Sequence, residues 1–237
     1  MNPSKCHVLP IGQVTSSPQY FLNGSPLECV EYARDLGIII TRDLKPSEHC
    51  KFIYNRAMRQ LYCLFKCITS RDPVVLTFAY CTYIRPLLES ASPAFSPYLK
   101  RDVKLIERVQ NVFTRRLFFR CKPQECSPRP PGPDLRRNAL SLPSLEFRRL
   151  LLDLSLCFKM SRGTMVSSCK FTCPSGRTRR SSSSFFFPFC RKDVRKHSFM
   201  IRAARFYSRL PHQAQHAPSH FSFRNAISKL DLASLCS

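Results

Sequence analysis

The sequence predicts a mainly α fold with a small β element near the N-terminus. Two long segments with a helical period lie in the first half of the chain, and the β-prone segments before them are short. Hydrophobic residues make up 43% of the 237 residues, which is enough for a packed core. The length fits one or two domains.

The β element is predicted from two short apolar segments, QYFL at 19–22 and GIII at 37–40. Asn23 and Gly24 lie between them and favour a tight turn. We interpret the stretch EYARDLGIIITRDL at 31–44 as one strand that is entered through a glycine. The β element should therefore end near residue 45.

The first long helix is predicted over about 47–68, where apolar residues recur at helical spacing. The apolar arc consists of Ile53, Ala57, Leu61, Leu64, Phe65 and Ile68. The cations away from this arc are Lys51, Arg56, Arg59 and Lys66. This helix should bury one face and present a basic one.

A second helical region should begin at Asp72, because its carboxylate can accept hydrogen bonds from free amides and Pro73 fits the first helical turn. The run VVLTFAYCTYIRPLLES continues it. Pro86 lacks an amide hydrogen and clashes with the preceding turn, so we expect a kink or an end near 82–85.

The clearest amphipathic pattern lies over 99–119. Its apolar face consists of Val103, Ile106, Val109, Phe113 and Leu117, and its opposite, cationic ridge consists of Lys100, Lys104, Arg108 and Arg115. A nucleic-acid contact surface and a merely solvated face both explain such a ridge.

The second half of the chain alternates between predicted connectors and helices. Six prolines predict an extended linker over 122–143. A helix is expected over 144–160, followed by a disordered basic loop at 161–197 with nine Lys or Arg and a single acid. Two further helices are expected, at about 198–209 and 219–233.

The formal net charge of +23 favours a polyanionic partner, with RNA or DNA first, because cations that neutralise phosphates release bound counterions. No apolar run approaches the 18 to 20 residues of a membrane span, so no membrane partner is expected. The first residues, MNPSKCHVLPIG, contain no apolar signal-peptide core. We expect an intracellular protein of the nucleus or cytoplasm.

Catalysis by the chain itself is not expected. No two acidic residues are adjacent, and no phosphate loop, nucleophile elbow or HExxH motif occurs. No cofactor or small-molecule substrate is predicted. One alternative is a zinc-stabilised module built from Cys169, Cys173, Cys190 and His197, whose spacing matches no usual zinc motif.

Several segments in this order resemble the reverse transcriptase of non-LTR (LINE-type, jockey-like) retrotransposons, in the part that follows the catalytic palm aspartates. The matching segments are NPSKC at 2–6, YFLNGSPLECVEYARDLGIII at 20–40, YIRPLLESASPAFSP at 83–97, DVKLIERVQNVFTRRLF at 102–118, LSLPSLEFRRLLLDLSLCFKM at 140–160 and FMIRAARFYSRLP at 199–211.

The resemblance implies specific roles. Lys5 would belong to a late palm motif near the incoming nucleotide, and Leu36 and Gly37 to the hairpin that supports the primer end. Residues 1–45 would be a palm remnant with a primer-grip-like β element, and 46–121 a thumb-like helical region. Residues 144–237, including the basic loop, would be the C-terminal helical region beyond the linker.

Two departures from the family accompany this resemblance. The paired aspartates and the fingers of the family would lie before residue 1, and whether Met1 is a true start stays open. Near the C-terminus Tyr207 and Ser208 replace the usual Trp and Asn. We therefore expect a non-catalytic piece that retains a template-primer binding surface. Its expected contacts with the nucleic-acid backbone are the cations of the two helical faces, Lys51, Arg56, Arg59, Lys66, Lys100, Lys104, Arg108 and Arg115. A decayed element copy without function is the other alternative.

Overall fold

The computed structural model describes residues 2, 5–12, 18–121, 129–163 and 189–230. Its strands form three two-stranded ladders. The strands are β1 (His7–Val8), β2 (Phe21–Leu22), β3 (Ser25–Pro26), β4 (Glu28–Cys29), β5 (Tyr32–Asp35) and β6 (Ile38–Thr41). β1 pairs with β4 in parallel, whereas β2–β3 and β5–β6 are antiparallel hairpins.

The helices account for most of the described residues. They are α1 (Ser47–Cys67), α2 (Pro73–Ala79), α3 (Arg85–Glu89), α4 (Ser92–Phe95), α5 (Lys100–Cys121), α6 (Pro133–Ala139), α7 (Leu145–Ser161), α8 (Asp193–Lys196), α9 (Phe199–Ser208), α10 (His212–Gln215) and α11 (His220–Ser228). The predicted mainly α class with a small N-terminal β element is confirmed. Among the described residues no helix combines the length and apolarity needed to cross a membrane.

The two hairpins use the same kind of turn. Asn23 and Gly24 both have positive φ, as the predicted tight turn requires. Leu36 and Gly37 do as well, with φ values of 46° and 87°. The interpretation of 31–44 as one strand is therefore wrong: the chain reverses there and forms β5 and β6. A leucine at positive φ is uncommon, so local pattern does not indicate this turn.

The second hairpin is anchored on α1. The amide of Ile39 donates to Nδ1 of buried His49 at 3.3 Å, and the His49 ring packs edge-on against Phe95 at 4.4 Å. The Arg34 guanidinium lies 5.1 Å from the Phe52 ring centroid. Burial, and then the nearby charge of Arg34, lowers the pKa of His49.

The start and the interruption of the second helical region agree with the prediction. The Asp72 carboxylate accepts a hydrogen bond from the Val74 amide at 2.8 Å. A π-helical turn over Tyr80–Ile84 separates α2 from α3, directly before Pro86. The missing amide of Pro86 explains why the regular helical ladder breaks at this point.

The prediction of an extended linker over 122–143 is wrong for residues 133–139, which form α6. Pro133 occupies the first helical turn, where a missing amide costs nothing. Arg136 is buried against α5, and its Nε donates to Thr114 Oγ1 at 3.2 Å. Residues 122–128 lie outside the described residues.

The predicted disordered loop at 161–197 lies mostly outside the described residues, which omit 164–188. At its C-terminal end the expectation is corrected, because Asp193–Lys196 form the short helix α8. The ring of His197 stacks on Tyr98, with 4.5 Å between the ring centroids.

Within the described residues the core consists of two apolar clusters. The first contains buried residues from every helix between α1 and α5, together with Leu142 and Leu145. The second contains buried residues of α7, α9, α10 and α11. Helix α7 contributes to both clusters. The Asp153 carboxylate on α7 accepts two hydrogen bonds from Arg202 on α9, and Arg202 also donates to the carbonyl of Pro93 in α4. Polar contacts therefore tie the two clusters together.

Candidate nucleic-acid interface

The cationic face of α1 is built as the periodicity predicts. The arc members Ile53, Ala57, Leu61, Leu64 and Phe65 are buried, whereas Lys51, Arg56, Arg59 and Lys66 are exposed. Lys51 pairs with Glu48 at 2.7 Å. Among the described residues no carboxylate lies within 4 Å of the other three cations, so their charges face solvent.

The ridge on α5 is also exposed. Ile106, Val109, Phe113 and Leu117 are buried, and Val103 is half-buried. Lys100, Lys104, Arg108 and Arg115 lie on the opposite side, and none of them forms an ion pair within the described part of the chain. From Lys100 to Arg115 the ridge extends about 22 Å at 1.5 Å per residue.

Lys100 and Lys104 lie on the wall of a groove between α5, α7 and α9 that also contains Arg149 and Arg202. Glu146 and Asp153 line the same groove, so carboxylates offset part of its positive charge. Arg149 is almost fully buried, and both of its terminal nitrogens lack hydrogen-bond partners among the described residues. Burial lowers the pKa of Arg149.

Helices α1 and α5 run parallel. At their starts the Ser47 hydroxyl donates to the Asp102 carboxylate at 2.6 Å. At their ends the Arg120 guanidinium donates to the carbonyls of Phe65 and Ile68, in the last turn of α1. These carbonyls form the negative end of a helix dipole, which favours a cation. The C-terminal ends of the two cationic helices therefore meet.

A cleft of about 600 Å³ opens where these ends meet. It is lined by Phe65, Thr69, Arg71, Arg116, Phe119 and Arg120. Tyr62 and Phe119 are each about half exposed. The guanidinium of Arg116 lies 4.1 Å from the Tyr62 ring centroid, and that of Arg115 lies 5.9 Å from the Phe119 centroid. Cations and aromatic rings alternate across this surface.

Sequence reasoning missed most of this cleft. None of the predicted contact residues lines the cleft, although Arg115 approaches its Phe119 ring. Tyr62, Arg116 and Phe119 were not singled out. One signal was available, because Tyr62 lies between Arg59 and Lys66 on the cationic arc of α1. Aromatic rings interleaved with cations are the pattern that single-stranded nucleic-acid binding surfaces use.

Lys5 and the primer-grip-like residues are exposed but lie apart from this cleft along the fold. Leu36, at the tip of the β5–β6 hairpin, is 95% exposed, and Gly37 is exposed beside it. The hairpin packs against the N-terminal half of α1. The roles that the resemblance implies for Lys5, Leu36 and Gly37 stay predictions.

Two of the four suggested zinc ligands, Cys169 and Cys173, lie outside the described residues. In the described ranges no three His, Cys, Asp or Glu side chains form a group able to hold a metal ion. Asp102 and Asp153, the two buried aspartates there, bind Ser47 and Arg202. Burial raises the pKa of Asp153 although Arg202 opposes this effect.

Comparison with known proteins adds one partial relationship. No protein-family profile matches the chain, and no solved structure matches it at a significant level. An uncharacterized protein of Caenorhabditis elegans is 28% identical to it over 87 residues. The match spans 37% of this chain and 44% of the nematode protein's length. A similar segment therefore occurs in that protein, without a shared family or activity being shown.

Proposed function

We propose that this chain binds the phosphate backbone of RNA or DNA without sequence preference, and that it derives from the template-primer binding part of a retrotransposon reverse transcriptase. The observation that carries the binding proposal is the pair of exposed cationic faces on α1 and α5, two helices whose C-terminal ends meet. The derivation is supported by the ordered segments that resemble the LINE-type family.

The charge distribution favours backbone binding over base reading. Lysine and arginine ridges on rigid helices match the regular charge of a phosphate chain, and such contacts carry no sequence information. A surface that only faces solvent would have the same residue types. The salt dependence of binding distinguishes the two cases, because phosphate contacts release counterions in proportion to their number.

The first test replaces Lys100, Lys104, Arg108 and Arg115 with glutamine. Glutamine is a good helix former, so α5 should persist while the ridge loses four charges. We expect the affinity for a fluorescein-labelled oligonucleotide to fall about 10- to 100-fold near 0.1 M salt. The slope of log K against log salt should shrink by about one for each lost phosphate contact. Fluorescence anisotropy over a salt series measures both.

The matched control replaces Arg191, Lys192, Arg195 and Lys196, which are exposed near and on α8, with glutamine. It removes the same charge from another surface, so its affinity and slope should change much less. Equal losses in both variants would mean that net charge alone drives binding, and would contradict the proposal. Circular dichroism should show unchanged helicity in each variant.

We also propose that the chain does not polymerise DNA by itself. Polymerases hold two metal ions with clustered carboxylates, and no two acids are adjacent in this sequence. Purified protein should give no product in primer extension with Mg²⁺ and deoxynucleotides, while a complete reverse transcriptase in parallel should extend the same primer. Primer-extension activity that co-purifies with the wild-type chain would contradict the proposal that the chain does not polymerise DNA.

A further inference from the structure

The cleft at the C-terminal ends of α1 and α5 presents ring surface to solvent on a strongly cationic background. Phe119, which lines the cleft, is 50% exposed, and Tyr62, next to the cleft and in contact with Arg116, is 52% exposed. The cations of this region are Lys66, Arg71, Arg115, Arg116 and Arg120. The nearby Asp72 is engaged as the cap of α2. Two half-exposed rings beside these cations offer both a flat apolar surface and positive charge, a combination that suits a ligand that is both flat and anionic.

Contacts between α1 and α5 fix the geometry of the cleft. Arg120 donates to two carbonyls of the α1 terminus, and its guanidinium lies 4.9 Å from the Phe65 ring centroid. Arg116 packs over Tyr62 and approaches Phe65 at 5.9 Å. Because α1 and α5 belong to one core cluster, the rings are carried by rigid helices. Little ordering would be needed on binding.

We infer that this cleft and the adjoining Tyr62 ring bind unpaired bases of single-stranded RNA or DNA, with Tyr62 and Phe119 as stacking surfaces. The inference rests on the proposed backbone binding and names the form of nucleic acid that the site prefers. Every base has a flat face, and stacking on an aromatic or guanidinium plane tolerates any sequence. Bases inside a duplex are already stacked on each other, so a duplex offers only its phosphates to the same arginines.

The test replaces Tyr62 and Phe119 with leucine, singly and together. Leucine retains an apolar, helix-forming side chain but removes the flat ring. We expect the affinity for a labelled 15-nucleotide oligo-dT to fall about 10-fold for each ring. The affinity for a 15-base-pair duplex should change less than about 2-fold. Phe221→Leu, on the exposed side of α11, is the control and should leave both affinities unchanged.

A direct readout is available because the chain contains no tryptophan. Phe119→Trp places a single indole in the cleft, and its fluorescence should be quenched when oligo-dT binds by stacking. Phe221→Trp carries the same reporter outside the cleft, and its emission should not change. Quenching in both variants, or in neither, contradicts stacking at Phe119.

The outcomes of these experiments distinguish the stacking inference from the proposed backbone binding on which it rests. If the wild-type chain binds both probes and the double leucine variant keeps its oligo-dT affinity, the stacking site is refuted while backbone binding stands. If the double variant loses both affinities equally, the rings do not select single strands. If the wild-type chain binds neither probe, both the proposed function and the inference fail.

Discussion

Phe113→Ala is expected to lower the free energy of unfolding by about 3–5 kcal/mol, because it removes a large, fully buried ring and leaves a cavity. Phe113 lies on α5 with no exposed surface, and its ring stacks on Tyr80 with 4.2 Å between centroids. It also faces Phe65 of α1 at 5.9 Å. It therefore joins α5, α1 and the π-helical turn.

Urea unfolding followed by circular dichroism, under reducing conditions, measures this loss. Phe119→Ala is the matched control, since Phe119 belongs to the same helix but is half exposed. Its unfolding free energy should change by less than about 1 kcal/mol. A loss of under 1 kcal/mol for Phe113→Ala would mean that α5 does not pack on the core in this way.

Arg202→Ala is expected to cost about 3–5 kcal/mol, because it leaves the Asp153 carboxylate buried without its partner. Arg202 Nε lies 2.7 Å from Asp153 Oδ2, and Nη2 lies 3.0 Å from Oδ1. Its guanidinium also donates to the carbonyls of His197 and Pro93. One side chain thus joins α9, α7 and α4.

A double-mutant cycle with Asp153→Ala isolates the interaction energy between Arg202 and Asp153 from their contacts with other residues. The double variant should be less destabilised than the sum of the single variants, since neither member of the pair is left buried without the other. Arg224→Ala, an exposed arginine of α11, is the control and should change stability by less than about 0.5 kcal/mol. Additive losses in the cycle would show that the pair is not coupled in the folded protein.

Local features of this fold were predictable where a single element decides them. The apolar arc of α1, the cap at Asp72 and the break before Pro86 each depend on residues within a few positions. Two of the three corrected predictions had local causes as well. The β5–β6 turn uses a leucine at positive φ, and α6 begins at a proline in a proline-rich stretch where helix and linker patterns compete.

The contacts between distant segments were not predictable in this way. Arg136 and Thr114 are separated by 22 residues, and Arg120 and Ile68 by 52, yet each pair is joined by a hydrogen bond. No periodicity within one helix indicates which other helix end it meets. The cleft that contains Arg116 and Phe119, with Tyr62 beside it, depends on such contacts.

By itself, the sequence determined which residues face outward on α1 and α5 and that both outward faces carry a row of cations, because helical spacing alone separates the apolar arc from the charged one. The tertiary structure decided that α1 and α5 run parallel and that their C-terminal ends enclose one aromatic and cationic cleft. The physical reason is that burial and hydrogen bonding between remote segments set this arrangement, and neither is encoded in local spacing.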